Sequence, residues 1–248
     1  MAEDDASDGR QGAEFRDADL RGARFIGSDL SGAVMRGVLV DATDIDAPWL
    51  HEGEFLLVNG VDVTPYVEAE LNRRFPGRGD RHATDPEGLR TAWASLERTW
   101  AATLARVASM PRDTVDASVA GEWSFAQTLR HLVLATDMWL GQAILEREQA
   151  FHPLGLPDAS LEQEDFDMSV FSSETPTYDE VLEARSERVV MVRDYLSVVT
   201  ADELTVQRRN PHAPAHEEST LSCLHVILDE EWEHHRYAVR DLDAIAAS

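Results

Sequence analysis

The chain has 248 residues, of which 22 are basic and 47 acidic, so its formal net charge is −25. Because phosphate backbones and anionic lipid surfaces repel such a chain, we expect no nucleic-acid partner and no membrane association. Every basic residue is arginine, which excludes Schiff-base chemistry on lysine, and the single cysteine, Cys223, excludes an intramolecular disulfide framework. The N-terminus lacks the pattern of a secretory signal and no apolar stretch could span a bilayer, so we expect a cytoplasmic protein.

Residues 1–12 are predicted to form a disordered acidic tail, and residues 13–50 carry a repeat with a period of five. The large residues of this repeat are Phe15, Leu20, Phe25, Leu30, Met35, Val40, Ile45 and Leu50. Mostly small residues stand two places before each of them, so each pentad is predicted to point one large and one small side chain inward. Neither a helix nor a strand has this period.

The pentads Ala18-Asp19-Leu20-Arg21-Gly22 and Ser28-Asp29-Leu30-Ser31-Gly32 resemble those of the pentapeptide-repeat family. That resemblance implies a right-handed β-helix with four pentads in each coil, and hence about two coils here. Some acidic members of the family imitate DNA, but two coils give too little surface for a duplex mimic. A cap, an appended structural element or an oligomerisation patch is favoured, so a homo-oligomer is among the expected assemblies.

Residues 51–80 are predicted to be a linker that contains a β-hairpin and a short helix. Asn59-Gly60 lies between two β-branched runs, which is a strong signal for a two-residue hairpin turn. Thr64-Pro65 then begins a short helix, and the glycine- and proline-containing run 76–80 ends it. We place a domain boundary after residue 80.

Residues 81–248 carry four long amphipathic patterns, which predict a mainly α, four-helix bundle. The first begins at Asp85 and ends before Pro111, and the second covers 124–148. The third begins at a capping box at Thr177, and the fourth lies near the C-terminus. The connection over residues 151–176 is long enough to cross the bundle or to cover a site.

The fourth helix places charged residues on its apolar stripe. Its members, spaced by four and three, are Leu224, Leu228, Glu231, His235, Ala238, Leu242 and Ile245. A buried carboxylate and imidazole persist only when they are paired, hydrogen-bonded or bound to a cation. Glu231 and His235 could satisfy each other, or they could form a two-ligand arm for a metal ion. His131 lies on the apolar second helix and is expected to point inward, which makes three donors of the right types.

A second pair of ligands, shifted by one residue along the fourth helix, also has the required spacing. Glu230 and His234 are also four apart, but their stripe is more polar. We therefore prefer Glu231 and His235, the pair on the apolar stripe.

A bundle with one inward histidine on helix two and a ligand pair four apart on helix four resembles the DinB superfamily over about residues 85–245. The resemblance implies an up-down-down-up bundle that binds zinc or nickel. Many members carry His-x-x-x-His on the fourth helix; the glutamate here resembles the branch that contains mycothiol-dependent maleylpyruvate isomerase. Carried over, the ligands would be His131, Glu231 and His235, with zinc expected first and nickel or iron as alternatives.

Two functions are predicted for such a chain. The first is a metal-dependent enzyme that acts on a small-molecule substrate by thiol-dependent transfer or isomerisation, or by hydrolysis, with a low-molecular-weight thiol such as mycothiol as its partner. No catalytic residue beyond the ligands is assigned. The second is a noncatalytic scaffold that a metal braces and that binds through its pentapeptide repeats. Cys223 is interpreted as a buried core thiol.

Overall fold

The computed structural model describes residues 11–157, 161 and 166–247, so the predicted acidic tail lies, up to residue 10, outside the described residues. The chain divides into two compact units, residues 1–46 and residues 47–248. This division falls four residues before the predicted end of the repeats. It also places the predicted linker, residues 51–80, in the same unit as the long helices.

The first unit carries the five-residue period in its backbone. Residues with a positive φ recur at Gly12, Asp17, Gly22, Gly27, Gly32, Gly37 and Ala42. Glycine adopts this left-handed conformation without steric cost, which is why it fills most of these positions. Tight turns recur as well, since the Ala23 amide donates to the Leu20 carbonyl at 3.0 Å and the Ala33 amide to the Leu30 carbonyl at 3.0 Å.

The large residues of the pentads are less buried than expected. From Phe15 to Ile45 they are 48–64% exposed, because so few pentads supply too few layers to enclose a core. Over residues 11–46 no strand is assigned. The right-handed β-helix therefore stays a prediction.

In the second unit a short 3-10 turn, Leu50–Glu52, precedes the hairpin that the sequence predicts. Strands β1 (Leu57–Val58) and β2 (Val61–Asp62) pair antiparallel. Asn59 and Gly60 both have a positive φ, 51° and 81°, as a two-residue hairpin turn of this kind requires. Helix α1 (Thr64–Arg74) follows directly, with a proline in its first turn.

The rest of the second unit is mainly helical, as predicted. Its helices are α2 (Pro86–Ala108), α3 (Phe125–Thr136), α4 (Tyr178–Val198), α5 (Ala201–Leu204) and α6 (Thr220–Ala247). Helices α2 and α3 each pack against both α4 and α6, so the four long helices share one apolar core. The up-down-down-up order stays a prediction. None of the described helices is long and apolar enough to cross a membrane.

Local sequence signals fix where two of these helices begin. The Ser124 hydroxyl accepts from the Gln127 amide while the Gln127 side chain accepts from the Ser124 amide, and Thr177 and Glu180 repeat this reciprocal cap at α4. The α-helix predicted over residues 124–148 ends earlier than expected, at Thr136. After Thr136 the chain continues as a π-helix over Asp137–Ile144.

A second hairpin lies between α5 and α6 and is not predicted by the sequence. Its strands, β3 (Gln207–Arg209) and β4 (Glu217–Ser219), pair antiparallel. They are polar and mostly exposed or half-buried, so they lack the alternation of apolar residues on which a strand prediction depends.

The loop between α1 and α2 joins the N-terminal part of this unit to α6 through buried arginines. Arg78 donates to Glu68 of α1 at 3.0 Å and to Glu233 of α6 at 2.9 Å. Arg81 likewise donates to Glu68 at 3.0 Å and to Asp229 at 2.7 Å. Both guanidinium groups thus join α1 to α6, and the domain boundary after residue 80 stays a prediction.

We predict that this loop depends on glycine at position 77 but not at position 79. Gly77 has φ +98°, and a Cβ there would lie 2.9 Å from Ser95 Cβ. Gly77→Ala should therefore cost about 1–3 kcal/mol of unfolding free energy. A Cβ at Gly79 would meet nothing closer than 3.7 Å, so Gly79→Ala should change stability little. Urea denaturation of both variants measures the difference, and equal losses would contradict it.

Candidate metal centre

Helix α6 carries four acidic residues within five positions, Asp229, Glu230, Glu231 and Glu233. Three of these residues are at most 5% exposed, and the Glu230 side chain is 18% exposed. Successive residues on a helix point about 100° apart, so each carboxylate faces a different neighbour. Since a buried carboxylate without a partner is strongly destabilising, each needs its own source of positive charge or hydrogen bonds.

Glu231 finds its partner on α4. The Arg185 guanidinium donates to both carboxylate oxygens of Glu231, at 2.6 Å for Oε2, and both side chains are almost fully buried. Burial raises the pKa of the Glu231 carboxyl, against the opposing effect of the Arg185 charge. The oxygens of Glu231 are thus engaged in a buried ion pair.

His235 lies among aromatic rings rather than beside carboxylates. Its Nε2 is 2.8 Å from the Thr103 hydroxyl, and its ring meets Trp100 edge-on with centroids 5.0 Å apart. Its buried Nδ1 has no hydrogen-bond partner among the described residues. Burial lowers the pKa of His235 to about 4, so it is a neutral core imidazole at physiological pH.

Glu230 is the carboxylate that faces imidazoles. Its Oε2 lies 3.3 Å from His131 Nε2 on α3 and 3.1 Å from His234 Nε2 one turn further along α6. One ligand atom from each of the three residues lies within 4.8 Å of the others. Ligands at tetrahedral zinc, bound at about 2.0–2.1 Å, are about 3.3 Å apart. The donor types and the spacing of this cluster therefore fit a divalent metal ion.

The charge states of this cluster suit a cation as well. Burial works to raise the pKa of Glu230, but hydrogen bonds with His131 and His234 outweigh it and hold that pKa well below its usual range. Burial lowers the pKa of His234. An ionised carboxylate and neutral imidazole are the forms that bind metal ions.

The geometry favours the alternative ligand register over the preferred one. The structure brings His131 together with Glu230 and His234, and it does not bring His131 together with Glu231 and His235. The apolar stripe marks the deepest positions of α6, where charge is neutralised within the core. The more polar stripe lies at the edge of the core, where Glu230 and His234 are partly exposed.

His131 is held by the start of the long connection after α3. Its Nδ1 lies 3.3 Å from the Leu156 carbonyl. When Nδ1 carries the proton, this carbonyl accepts it, and the lone pair of Nε2 is then free for a metal ion on the side of Glu230. The neighbouring Arg130 donates to the Leu154 carbonyl at 2.9 Å, which fixes the same stretch of chain. The connection over residues 151–176 therefore begins directly beside the cluster, as the predicted role of covering a site requires.

Trp123 is a site residue that the sequence reading missed. Its ring lies 4.7 Å from that of His131 and stacks on that of His234 at 5.9 Å between centroids. Trp123 is partly exposed, so it forms one wall at the edge of the cluster. The one sequence signal for Trp123 is its position directly before Ser124, because Ser124 caps the start of the helix that carries His131.

Cys223 takes no part in this chemistry. It is fully buried, and burial raises the pKa of its thiol to about 12. The thiol is therefore protonated and packs in the core, in line with its interpretation from the sequence.

Comparison with known families adds two findings. A model of the DinB superfamily matches residues 95–238, and a model described as pentapeptide repeats (8 copies) matches residues 11–37. Searches of curated proteins and of solved structures give no significant match.

We predict that neutralising each of two adjacent glutamates separates metal binding from stability. Glu230→Gln should remove the one zinc equivalent held with His131 and His234, because it takes away the anionic ligand, and should alter stability of the metal-free chain little. Glu231→Gln should leave zinc content unchanged and cost about 3–5 kcal/mol, because it leaves Arg185 buried without its counter-charge. Elemental analysis and urea denaturation measure the two effects; loss of zinc from Glu231→Gln alone would restore the other register.

We also predict a pH dependence of stability that comes from His235. Its pKa falls from 6.5 to about 4 on folding, so between these values the unfolded chain binds a proton that the folded chain excludes. Stability should therefore fall as the pH falls through this window, by up to about 3 kcal/mol from this residue.

The pH prediction is tested by comparing denaturation at pH 7 and pH 4.5. His235→Gln should flatten the pH dependence. His216→Gln, at an exposed histidine, serves as the control and should not. Parallel pH profiles for wild type and His235→Gln would contradict the assignment.

Proposed function

The chain belongs to the DinB superfamily, and we propose that it is a metal-dependent enzyme whose divalent ion is held by His131, Glu230 and His234. The family resemblance also supports an up-down-down-up order of the four long helices. The proposal replaces the preferred sequence register by the alternative one and keeps the same ligand types, two imidazoles and one carboxylate.

The observation that carries this proposal is the difference in hydrogen-bond partners among the acidic side chains of α6. Asp229, Glu231 and Glu233 each receive a hydrogen bond from an arginine guanidinium. The hydrogen-bond partners of Glu230 within the described residues are two imidazoles. A carboxylate between two largely buried imidazoles is a site that a divalent cation stabilises, because the cation binds all three groups at once.

Zinc is the ion we expect first, with nickel or iron as alternatives, because nitrogen and oxygen donors in this ratio suit all three. When bound, such an ion supplies at least one open coordination position at which water or a thiol loses its proton near neutral pH. The chain's own residues orient and cover the ligands. Leu156 fixes the His131 tautomer, and Trp123 covers one side of both imidazoles and limits the access of water.

The reaction class we propose is thiol-dependent transfer or isomerisation of a small molecule, with hydrolysis as the variant in which water replaces the thiol. Trp123 supports a small substrate, since its partly exposed ring lies beside the imidazoles and can pack against an apolar portion of it. The buried Cys223 supplies no nucleophile, so the thiol would be an external one such as mycothiol.

A second function is favoured by one observation in the first unit. Its large apolar residues are about half to two thirds exposed, which is typical of surfaces that bind another protein. In this alternative the protein is a noncatalytic scaffold, and the metal braces α3 against α6.

The two functions differ in their response to thiol. We predict that the zinc-loaded protein converts an α,β-unsaturated carbonyl probe only when a low-molecular-weight thiol is present. His131→Gln should lower kcat/KM by at least about 100-fold, which corresponds to about 2.7 kcal/mol of transition-state stabilisation. Cys223→Ala, the matched control, should leave turnover unchanged.

The cobalt-substituted protein gives a second readout of thiol binding. Binding of a thiolate to the ion should add a near-ultraviolet charge-transfer band that is lost in His131→Gln. If thiol neither adds this band nor supports turnover in the loaded wild-type protein, the enzyme proposal fails and the scaffold is favoured.

A further inference from the structure

A second group of metal-type side chains lies on another side of α6. It consists of His51 in the short turn Leu50–Glu52, His82 in the loop before α2, and Asp229 on α6. One ligand atom from each lies within 4.8 Å of the others. His82 Nε2 is 2.8 Å from Asp229 Oδ2, and His51 Nε2 is 3.8 Å from Asp229 Oδ1.

We propose that His51, His82 and Asp229 form a second divalent metal site, distinct from that of His131, Glu230 and His234. The inference does not rest on the proposed enzymatic function, because the two clusters share no residue. Two imidazole nitrogens and one carboxylate oxygen select a borderline transition-metal ion such as Zn²⁺ or Co²⁺ over Mg²⁺ or Ca²⁺, which prefer all-oxygen shells.

The state of His51 is the independent observation that points to a ligand. Its side chain is only 10% exposed, and neither ring nitrogen has a hydrogen-bond partner among the described residues. A buried polar group left without a partner costs about 1–3 kcal/mol. The contact of its Nε2 with Asp229 Oδ1, at 3.8 Å, is longer than a hydrogen bond. A cation between these atoms would satisfy the His51 nitrogen that faces Asp229.

Asp229 keeps an oxygen for such an ion although it also pairs with Arg81. Arg81 Nε donates to Oδ1 at 2.7 Å, whereas the closest contact of Oδ2 is His82 Nε2. Arg81 thus holds the carboxylate in place in the way that partners of metal ligands usually do. Arg81 also donates to Glu68, so part of its charge is already balanced.

The site is open on the side of His82. That imidazole is 41% exposed, so an ion can enter from solvent and complete its coordination shell with water. An ion there would join the chain around residue 51 and the loop before α2 to the centre of α6. We therefore infer that the second ion stabilises the fold, whereas the first serves chemistry.

Calorimetric titration of the metal-free full chain with Co²⁺ tests this inference. Wild type should bind two equivalents. A double variant, Glu230→Gln with His234→Gln, should keep one of them, and His82→Gln should keep the other. His82→Gln should weaken binding of the affected equivalent by more than about 100-fold, which exceeds the effect of losing a residue that only orients a ligand. His82 is exposed enough for this substitution to leave the metal-free fold intact, which circular dichroism checks.

His225→Gln is the matched control, because that imidazole lies 5.3 Å from His82 between centroids but donates to the Ala83 carbonyl. It should keep two equivalents. If wild type binds one equivalent that only Glu230→Gln with His234→Gln removes, the second site is refuted and the proposed function stands. If the single equivalent is lost in His82→Gln instead, the second site stands and the proposed function fails.

Discussion

Neutralising the buried carboxylates of α6 is the constraint on which the rest of this structure depends. Four acidic side chains within five positions point in successive directions from one helix, so positive charge must arrive from several sides. Arg78 and Arg81 come from the loop after α1, and Arg185 comes from α4. Each guanidinium carries several donors in a fixed fork, so Arg78 and Arg81 can each serve two carboxylates. A chain whose cations are all arginine suits this packing.

The same constraint explains why we propose the metal-dependent chemistry at Glu230. Where an arginine neutralises a carboxylate, as at Glu231, the oxygens are occupied and the pair serves stability. Where histidines face it, the charge can be balanced by a cation that exchanges with solvent. His131 reaches Glu230 from α3 because its ring is fixed by the Leu156 carbonyl, so the site depends on the packing of α3 against α6 and on the connection that follows α3.

Local signals in the sequence predict much of this fold and part of the site. The caps at Ser124 and Thr177 and the turn at Asn59-Gly60 form as predicted, because each depends on residues close together in the chain. His131 is found for the same reason, as a polar residue on an apolar helix. The ligand register could not be predicted in this way. Periodicity tells which face of α6 is buried, but not that Arg185 lies opposite Glu231 across the core.

The cluster of His51, His82 and Asp229 could not be predicted from the sequence for a related reason. Its members come from three distant parts of the chain, and Asp229 has a glutamate, not a histidine, four residues further along α6. Because Asp229 and Glu230 are adjacent, one step of the helix separates two sets of imidazoles on different sides of α6. A change at Asp229 would leave the buried Arg81 without one of its acceptors. The acidic run therefore acts as one unit: its carboxylates contact the loop after α1, α3 and α4, and together they fix the rotation of α6 that presents Glu230 to His131.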